Sequence, residues 1–154
     1  ERHYLRGMSE SISTSSAPKP VGSYPHAKRV GNLLFLSGVG PRKAGSGNGD
    51  SVVPGLEIND RGEVVKFDFE AQVHSVFANV KAVLDASGSS WDELVDVTVF
   101  LVNMERDFKT FNRIYAEYFP GDSESRPCRT TLEINCLPTP IAIELKCIAT
   151  VKNN

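Results

Sequence analysis

Only two stretches of this 154-residue chain carry the apolar spacing of a helix, too few to bury both faces of the sheet that the other segments predict. The first spans about 68–86. Asp68 suits an N-cap, Val73, Val76, Phe77, Val80, Val83 and Leu84 recur at helical intervals, and Gly88 supplies a stop. The second spans about 106–119, with Phe108, Phe111, Ile114, Tyr115 and Tyr118 inward and Pro120-Gly121 at its end. Strands are predicted around them. Residues 33–37 form a short apolar run, and LEINDRGEVVKF reads as a hairpin turning at Asp60-Arg61-Gly62. VDVTVFLV puts Val95, Val97, Val99 and Leu101 on one face. Two last strands, about 129–135 and 141–151, are joined by a turn at Leu137-Pro138-Thr139-Pro140. Ser90 and Glu93 have capping-box spacing for a brief turn in which Trp91 packs. The order ββ(β)αβαββ predicts an α+β fold, one mixed sheet with two helices on one face.

The helix-free face cannot be fully solvated. Phe100 and Val102 oppose the Val95 to Leu101 series, and Ile148 opposes Ile141, Ile143, Leu145 and Cys147. A face that is part apolar and part polar is best covered by another copy of the chain.

Composition excludes several function classes. A formal net charge of −2 gives no electrostatic reason for a nucleic-acid or membrane-surface partner, and no apolar run reaches the length of a membrane-spanning helix. The aromatic residues of the second helix lack the interleaved basic residues of a base-stacking platform. Cys128, Cys136 and Cys147 show no CxxC spacing, and His3, His26 and His74 fall into no metal-ligand pattern, so neither a metal nor a cofactor is expected. Reduced thiols fit a cytoplasmic protein.

Residues 1–20, rich in Ser, Thr and Pro, read as a flexible arm before a single domain at 21–152. Met8 is read as a natural start, with ERHYLRG before it a cloning remnant. Gly45, Gly47 and Gly49 alternate with polar residues in a flexible loop that lacks the Lys-Ser/Thr of a phosphate loop. His74 reads as a surface or interface residue, whereas His26, close to Tyr24, is a candidate for a site.

Read alone, Glu144 and Lys146 on the mixed face and Arg129 opening the neighbouring strand imply no more than a soluble α+β oligomer. Their setting adds more. The segment RPCRTTLEINCLPTPIAIELKCIATV resembles the C-terminal signature of the RidA (YjgF) reactive intermediate deaminases, an Arg before a strand, then Leu-Pro, then an apolar strand carrying one Glu. GSYPHAKRVGNLLFLSG is similar to that family's N-terminal strands and DFKTFNRIYAEYF to its second helix, so the resemblance covers about 20–152.

The resemblance implies a chorismate-mutase-like fold, a homotrimer with clefts between subunits, and hydrolytic deamination of enamine or imine acids. It implies that Arg129 holds the substrate carboxylate and Glu144 positions or activates water. Tyr24, Ser37, Gly38, Asn112, Thr131 and His26 are the further substrate-binding candidates. Two positions depart from many family members: Thr131 stands where they have Cys, and Val39 where they have Gln after the Ser-Gly. Within the family the chain looks most like the 2-aminomuconate deaminase branch, on YPHAKRVGNLLFLSG, the Gly-rich insertion through Val53-Pro54-Gly55, and PCRTTLEINCLPTPIAIELK. A substrate with a carboxylate at each end needs a second cation, which His26, Lys28, Arg29, Arg42 or Lys43 could supply. The alternatives are a housekeeping deaminase of 2-iminobutanoate and 2-iminopropanoate, a non-catalytic trimer that binds a carboxylate ligand, and an RNA-acting or translation-inhibiting protein, which the balanced charge opposes.

Overall fold

The structure is a computed structural model that describes residues 9–45 and 52–152. In chain order the elements are β1 (Ser9–Ile12), β2 (Ala27–Val30), β3 (Leu33–Leu36), β4 (Leu56–Ile58), β5 (Val64–Phe67), α1 (Phe69–Ala86), β6 (Leu94–Leu101), α2 (Met104–Tyr118), β7 (Cys128–Glu133) and β8 (Ile143–Thr150), with a 3₁₀ turn at Trp91–Glu93. Six strands form one sheet in the order β1-β2-β3-β8-β6-β7, and β4 pairs with β5 as a separate hairpin. β6 and β7 are parallel, whereas β8 runs antiparallel to both β3 and β6. β3 and β6 therefore point the same way with β8 inserted between them. The connections β3-α1-β6 and β6-α2-β7 are both crossovers between parallel strands, stepping in the same direction across the sheet. One preferred handedness then sends both helices to one face.

That face is the core. Leu34, Leu36, Val97, Val99, Leu101, Ile143, Leu145 and Ala149 meet Val73, Val76, Phe77, Val80, Leu84, Phe111 and Ile114, all at most 1% exposed. Each such side chain contributes roughly 1.5–3 kcal/mol when taken from water. Cys147 is buried among them, and its desolvated thiol is pushed up to about 12, so it packs as a small hydrophobe. α1 is capped as its sequence predicts: the Asp68 carboxylate accepts from the Ala71 N–H, and Gly88 follows at φ 70°. On the opposite face Phe35 and Leu132 stay exposed and Phe100 and Ile148 half-buried, the part-apolar surface anticipated from the strand pattern.

Several local expectations are corrected. Val95 is exposed, because a bulge between Leu94 and Asp96 shifts the register and puts Leu94 inward instead. Phe108 is exposed too. The inward stripe of α2 passes through Asp107, four residues before Phe111; its buried carboxylate is held by both Arg106 Nε and Nη2 at 2.7 Å. Ser90 forms no side-chain cap, and the Glu93 carboxylate instead accepts from the Thr150 hydroxyl at the end of β8. Residues 137–140 do not form a hairpin turn, since β6 lies between β7 and β8.

The flexible arm is corrected where the structure describes it. Ser9–Ile12 pairs with β2 as an edge strand, and Ala17 is only 2% exposed. Its polar composition hid a backbone whose hydrogen bonds go to the sheet. Residues 1–8, and with them the suggested start at Met8, lie outside the described residues, as does most of the Gly-rich loop.

Candidate active site

Glu144 is set by the register of the sheet. It pairs across β6 with Phe100, whereas the helix-facing residues of that strand are Val97, Val99 and Leu101, so its side chain rises from the helix-free face. Just past β3 the chain bridges to β8, with Val39 and Leu145 exchanging backbone hydrogen bonds of 2.8 and 2.9 Å. This lays Gly38 against the Glu144 carboxyl. A Cβ on Gly38 would lie 2.9 Å from both Cδ and Oε2, so the glycine is required by space and not by backbone angle. Burial raises the Glu144 pKa above the usual carboxylate range, and the Arg42 charge partly opposes that rise. The charge that acts on Glu144 is thus that of Arg42, not that of Arg129.

A cleft opens over this carboxyl, lined by Tyr24, His26, Ser37, Gly38 and Arg42 together with apolar residues of the N-terminal segment and Ile141. Tyr24 is 43% exposed. The Ser37 hydroxyl donates to the Pro25 carbonyl at 2.7 Å. His26 lines the wall with neither ring nitrogen spare: Nδ1 accepts from the Thr14 N–H at 3.3 Å, and Nε2 lies 2.9 Å from the Pro18 carbonyl.

Arg129 lies elsewhere. β7 adjoins β6 rather than β8, and Arg129 pairs with Val97, which places it on the helix-facing side of the edge strand. Its guanidinium carbon sits 4.7 Å from the centre of the Tyr115 ring and 5.6 Å from that of Phe111. Thr131, two residues along the same face, has a buried hydroxyl without a hydrogen-bond partner, and so does Tyr115. Asn112 is half-buried in α2 between Phe111 and Tyr115.

The sequence candidates thus fall into two groups. Tyr24, His26, Ser37, Gly38 and Glu144 share one cleft; Arg129 and Thr131 share the other side of the sheet, where Asn112 stands on the helix packed above. Three residue steps along β6 separate the two register rows, roughly 10 Å at the rise of a strand. The expectation that Arg129 opens the strand neighbouring that of Glu144 is corrected, because β6 lies between β7 and β8. Buried polar atoms without a partner are not confined to the Arg129 half: they include Gln72 Nε2 on α1 as well as the Tyr115 and Thr131 hydroxyls beside Arg129.

Sequence reasoning missed the residues that hold the cleft in shape. Gln72, Ser75 and Asn79 form a polar stripe on α1 at helical spacing. Gln72 accepts from the Ala142 N–H at 2.8 Å, Ser75 donates to the Pro41 carbonyl at 2.7 Å, and Asn79 Nδ2 donates to the Gly40 and Arg42 carbonyls at 2.9 and 2.7 Å. The signal was present: polar residues on the inward stripe of an apolar helix need partners. Among the described residues no group of three His, Cys, Asp or Glu side chains could hold a metal ion, and no helix is long and apolar enough to cross a membrane.

Comparison with known proteins adds a consistent picture. The sequence matches the family described as Endoribonuclease L-PSP over residues 14–151. It is 38% identical to Reactive Intermediate Deaminase A, chloroplastic, of Arabidopsis thaliana, over 92% of this chain and 66% of that protein. It is 30% identical to the 2-iminobutanoate/2-iminopropanoate deaminase of Escherichia coli, over 92% of this chain and 98% of that protein. The structure superposes on E. coli TdcF with bound serine at a TM-score of 0.76 and 26% identity, covering 93% and 99% of the two chains. Fold, matched span and identity agree: the chain belongs to the Endoribonuclease L-PSP family, which includes the RidA reactive intermediate deaminases.

Proposed function

We propose that this protein hydrolyses enamine or imine acids, releasing ammonia, at a site completed between copies of the chain. The observation that carries the reading is a half-buried carboxyl of raised pKa at the floor of a cleft, with Arg42 beside it. A carboxyl whose pKa is raised is a stronger base when ionised than an exposed one, which suits it to take a proton and return it.

An imino acid is already electrophilic, so the protein need only orient it and handle protons. Arg129 grips the carboxylate through two parallel N–H bonds. With the imine nitrogen protonated, Glu144 takes a proton from water as the water oxygen bonds to the imine carbon, and returns that proton to nitrogen. The carboxylate so regenerated accepts the hydroxyl proton as the C–N bond breaks, so that ammonia leaves and a carbonyl remains. For an enamine, the protonated carboxyl first donates to the β-carbon and so produces the imine. The relatives' names support this class of substrate, and the serine bound to TdcF is a carboxylate ligand of a similar fold.

Arg129 and Glu144 cannot serve one small substrate from opposite faces of one sheet. The part-apolar free face supplies the remedy: a second copy docks there, and a homotrimer joins each Arg129 half to a neighbour's Glu144 half. Light scattering that gave a monomer at micromolar concentration would remove this site.

Within this class the substrate we favour is 2-aminomuconate, an enamine with a carboxylate at each end. Among the basic residues flanking the first long strand, Arg42 lines the Glu144 cleft and is the second anion anchor; Lys43, Lys28 and Arg29 do not line it. The test is ammonia release from 2-aminomuconate and from 2-iminobutanoate generated in situ. A higher kcat/KM for the dicarboxylate is expected. Preference for 2-iminobutanoate overturns the choice of substrate and leaves the reaction class, while no ammonia from either overturns both.

A further inference from the structure

The N-terminal segment that composition marked as an arm is one wall of the cleft. Ala17, Pro18, Pro20 and Val21 line it across from Glu144, and Tyr24 follows directly. A segment this rich in Ser and Pro has little apolar surface of its own to hold it down. Apart from Ala17, which is buried in the core, what fastens it is polar and comes from three places. The His26 ring reaches back over eight and twelve residues to the Pro18 carbonyl and the Thr14 N–H. The His26 backbone N–H donates to the Ile12 carbonyl at 3.0 Å, and its own carbonyl accepts from the Ser37 N–H at 2.9 Å. From the other side, Arg42 Nη2 donates to the Lys19 carbonyl at 2.6 Å.

The partners also fix the state of the ring. A carbonyl oxygen can only accept, so Nε2 carries the hydrogen; an amide N–H can only donate, so Nδ1 carries a lone pair. His26 thus has both ring nitrogens committed to backbone, is 9% exposed, and is tied at its own backbone to β1 on one side and to the Ser37-Gly38 segment on the other. Through its ring and its backbone together it joins the wall to the Ser37-Gly38 segment on which the Glu144 carboxyl rests.

We propose that His26 is a positioning residue that closes the wall at residues 14–21 over the Glu144 cleft and so sets how tightly substrate is held, without taking part in the chemistry. The wall contacts the bound molecule; Glu144 and Arg129 act on it. Loosening the wall therefore weakens binding and leaves turnover. The kinetic part rests on the deaminase reading above, while the wall itself is tested without it.

Two measurements on the full chain decide this. By amide hydrogen exchange, His26→Ala is expected to lose at least tenfold protection at Thr14 to Lys19 while β6 and β8 keep theirs. His26→Gln, whose amide nitrogen reaches the Pro18 carbonyl, is expected to recover part of it; His26→Asn, whose oxygen sits where Nδ1 sits, recovers Thr14 first. In turnover of 2-iminobutanoate, His26→Ala is expected to raise KM about tenfold with kcat within about twofold of wild type. Unchanged exchange at 14–19, or protection lost equally across β6 and β8, overturns the proposal. So does a fall in kcat at unchanged KM, which would put His26 in the chemistry. If the wild-type protein releases no ammonia from any imino acid, the functional reading fails and the exchange data still decide the role of His26.

Discussion

The two halves of the candidate site are built in opposite ways. The Glu144 half is a finished concavity: a carboxyl packed on Gly38, a wall fastened by His26, and a loop whose carbonyls are held by Asn79. The Arg129 half is a ledge on an edge strand, where a guanidinium lies over two rings and two buried hydroxyls lack partners. One half confines and the other grips, and neither contains what the other has. The homotrimer proposed above would bring the two together, each Arg129 ledge against a neighbour's Glu144 concavity.

The strongest way to break the comparison is to remove the reacting group from the finished half. Glu144→Gln keeps the shape and hydrogen-bonding capacity of the side chain but cannot exchange a proton. A fall in kcat of about 10²–10⁴ is expected, with KM changed far less. A rate near wild type would assign the proton transfers elsewhere.

Next comes the gripping half. Arg129→Lys keeps the charge but loses the two-bond fork and the planar stacking on Tyr115, so kcat/KM is expected to fall at least about 10²-fold, roughly 2.7 kcal/mol. The same pair of variants tests whether the halves belong to different copies. Refolding Arg129→Lys with Glu144→Gln at equal amounts leaves about one intersubunit site in four with both native groups, so roughly a quarter of wild-type activity should return. If mixing restores nothing while both variants still assemble, the halves do not meet between copies.

A narrower test enters at Gly38. Its alanine variant places a methyl group 2.9 Å from the Glu144 carboxyl, with no positive φ to strain the backbone. The carboxyl must move by several tenths of an ångström. About a tenfold drop in kcat is expected, with Tm nearly unchanged by calorimetry, and an unperturbed rate would show that the position of the carboxyl matters less than its presence.

How legible all this was depends on the range of the interaction. The helices were readable because their signal is local: Val73 to Leu84 repeat at helical spacing, and Asp68 caps three residues away. Strand faces were readable wherever the period of two ran unbroken, and failed at Val95, where a bulge that no local pattern announces reversed the face. Strand order was not readable. Consecutive β7 and β8 look like a hairpin, yet β6 separates them, and Arg129 and Glu144, fifteen positions apart in the sequence, land on opposite faces. The N-terminal wall was missed for a related reason. Its anchors are single hydrogen bonds to His26 and Arg42, and these leave no trace in the composition of the segment they hold.

The smallest expected effect concerns Arg42, and it sharpens the comparison most finely because it acts on the Glu144 half alone. Its cation opposes the rise that burial causes in the Glu144 pKa. Arg42→Ala removes that opposition, so the pKa rises further and the carboxylate becomes scarcer at any given pH below it. The acid limb of the kcat profile should move to higher pH, while the rate on the alkaline plateau, where Glu144 is ionised in both proteins, stays the same. Arg42→Lys keeps a charge in the cleft and should leave the limb near its wild-type position, even though the hydrogen bond from Arg42 to the Lys19 carbonyl is disturbed. The two variants thus separate charge from wall. A limb that moves equally in both would make Arg42 a fastener of the N-terminal wall, and a limb that moves to lower pH in the alanine variant would contradict the electrostatic assignment outright. For a substrate with two carboxylates, Arg42→Ala should also raise KM severalfold to tenfold, up to about 1.4 kcal/mol, and by more than for a substrate with one carboxylate, whose KM changes only as far as the lost bond to Lys19 loosens the wall.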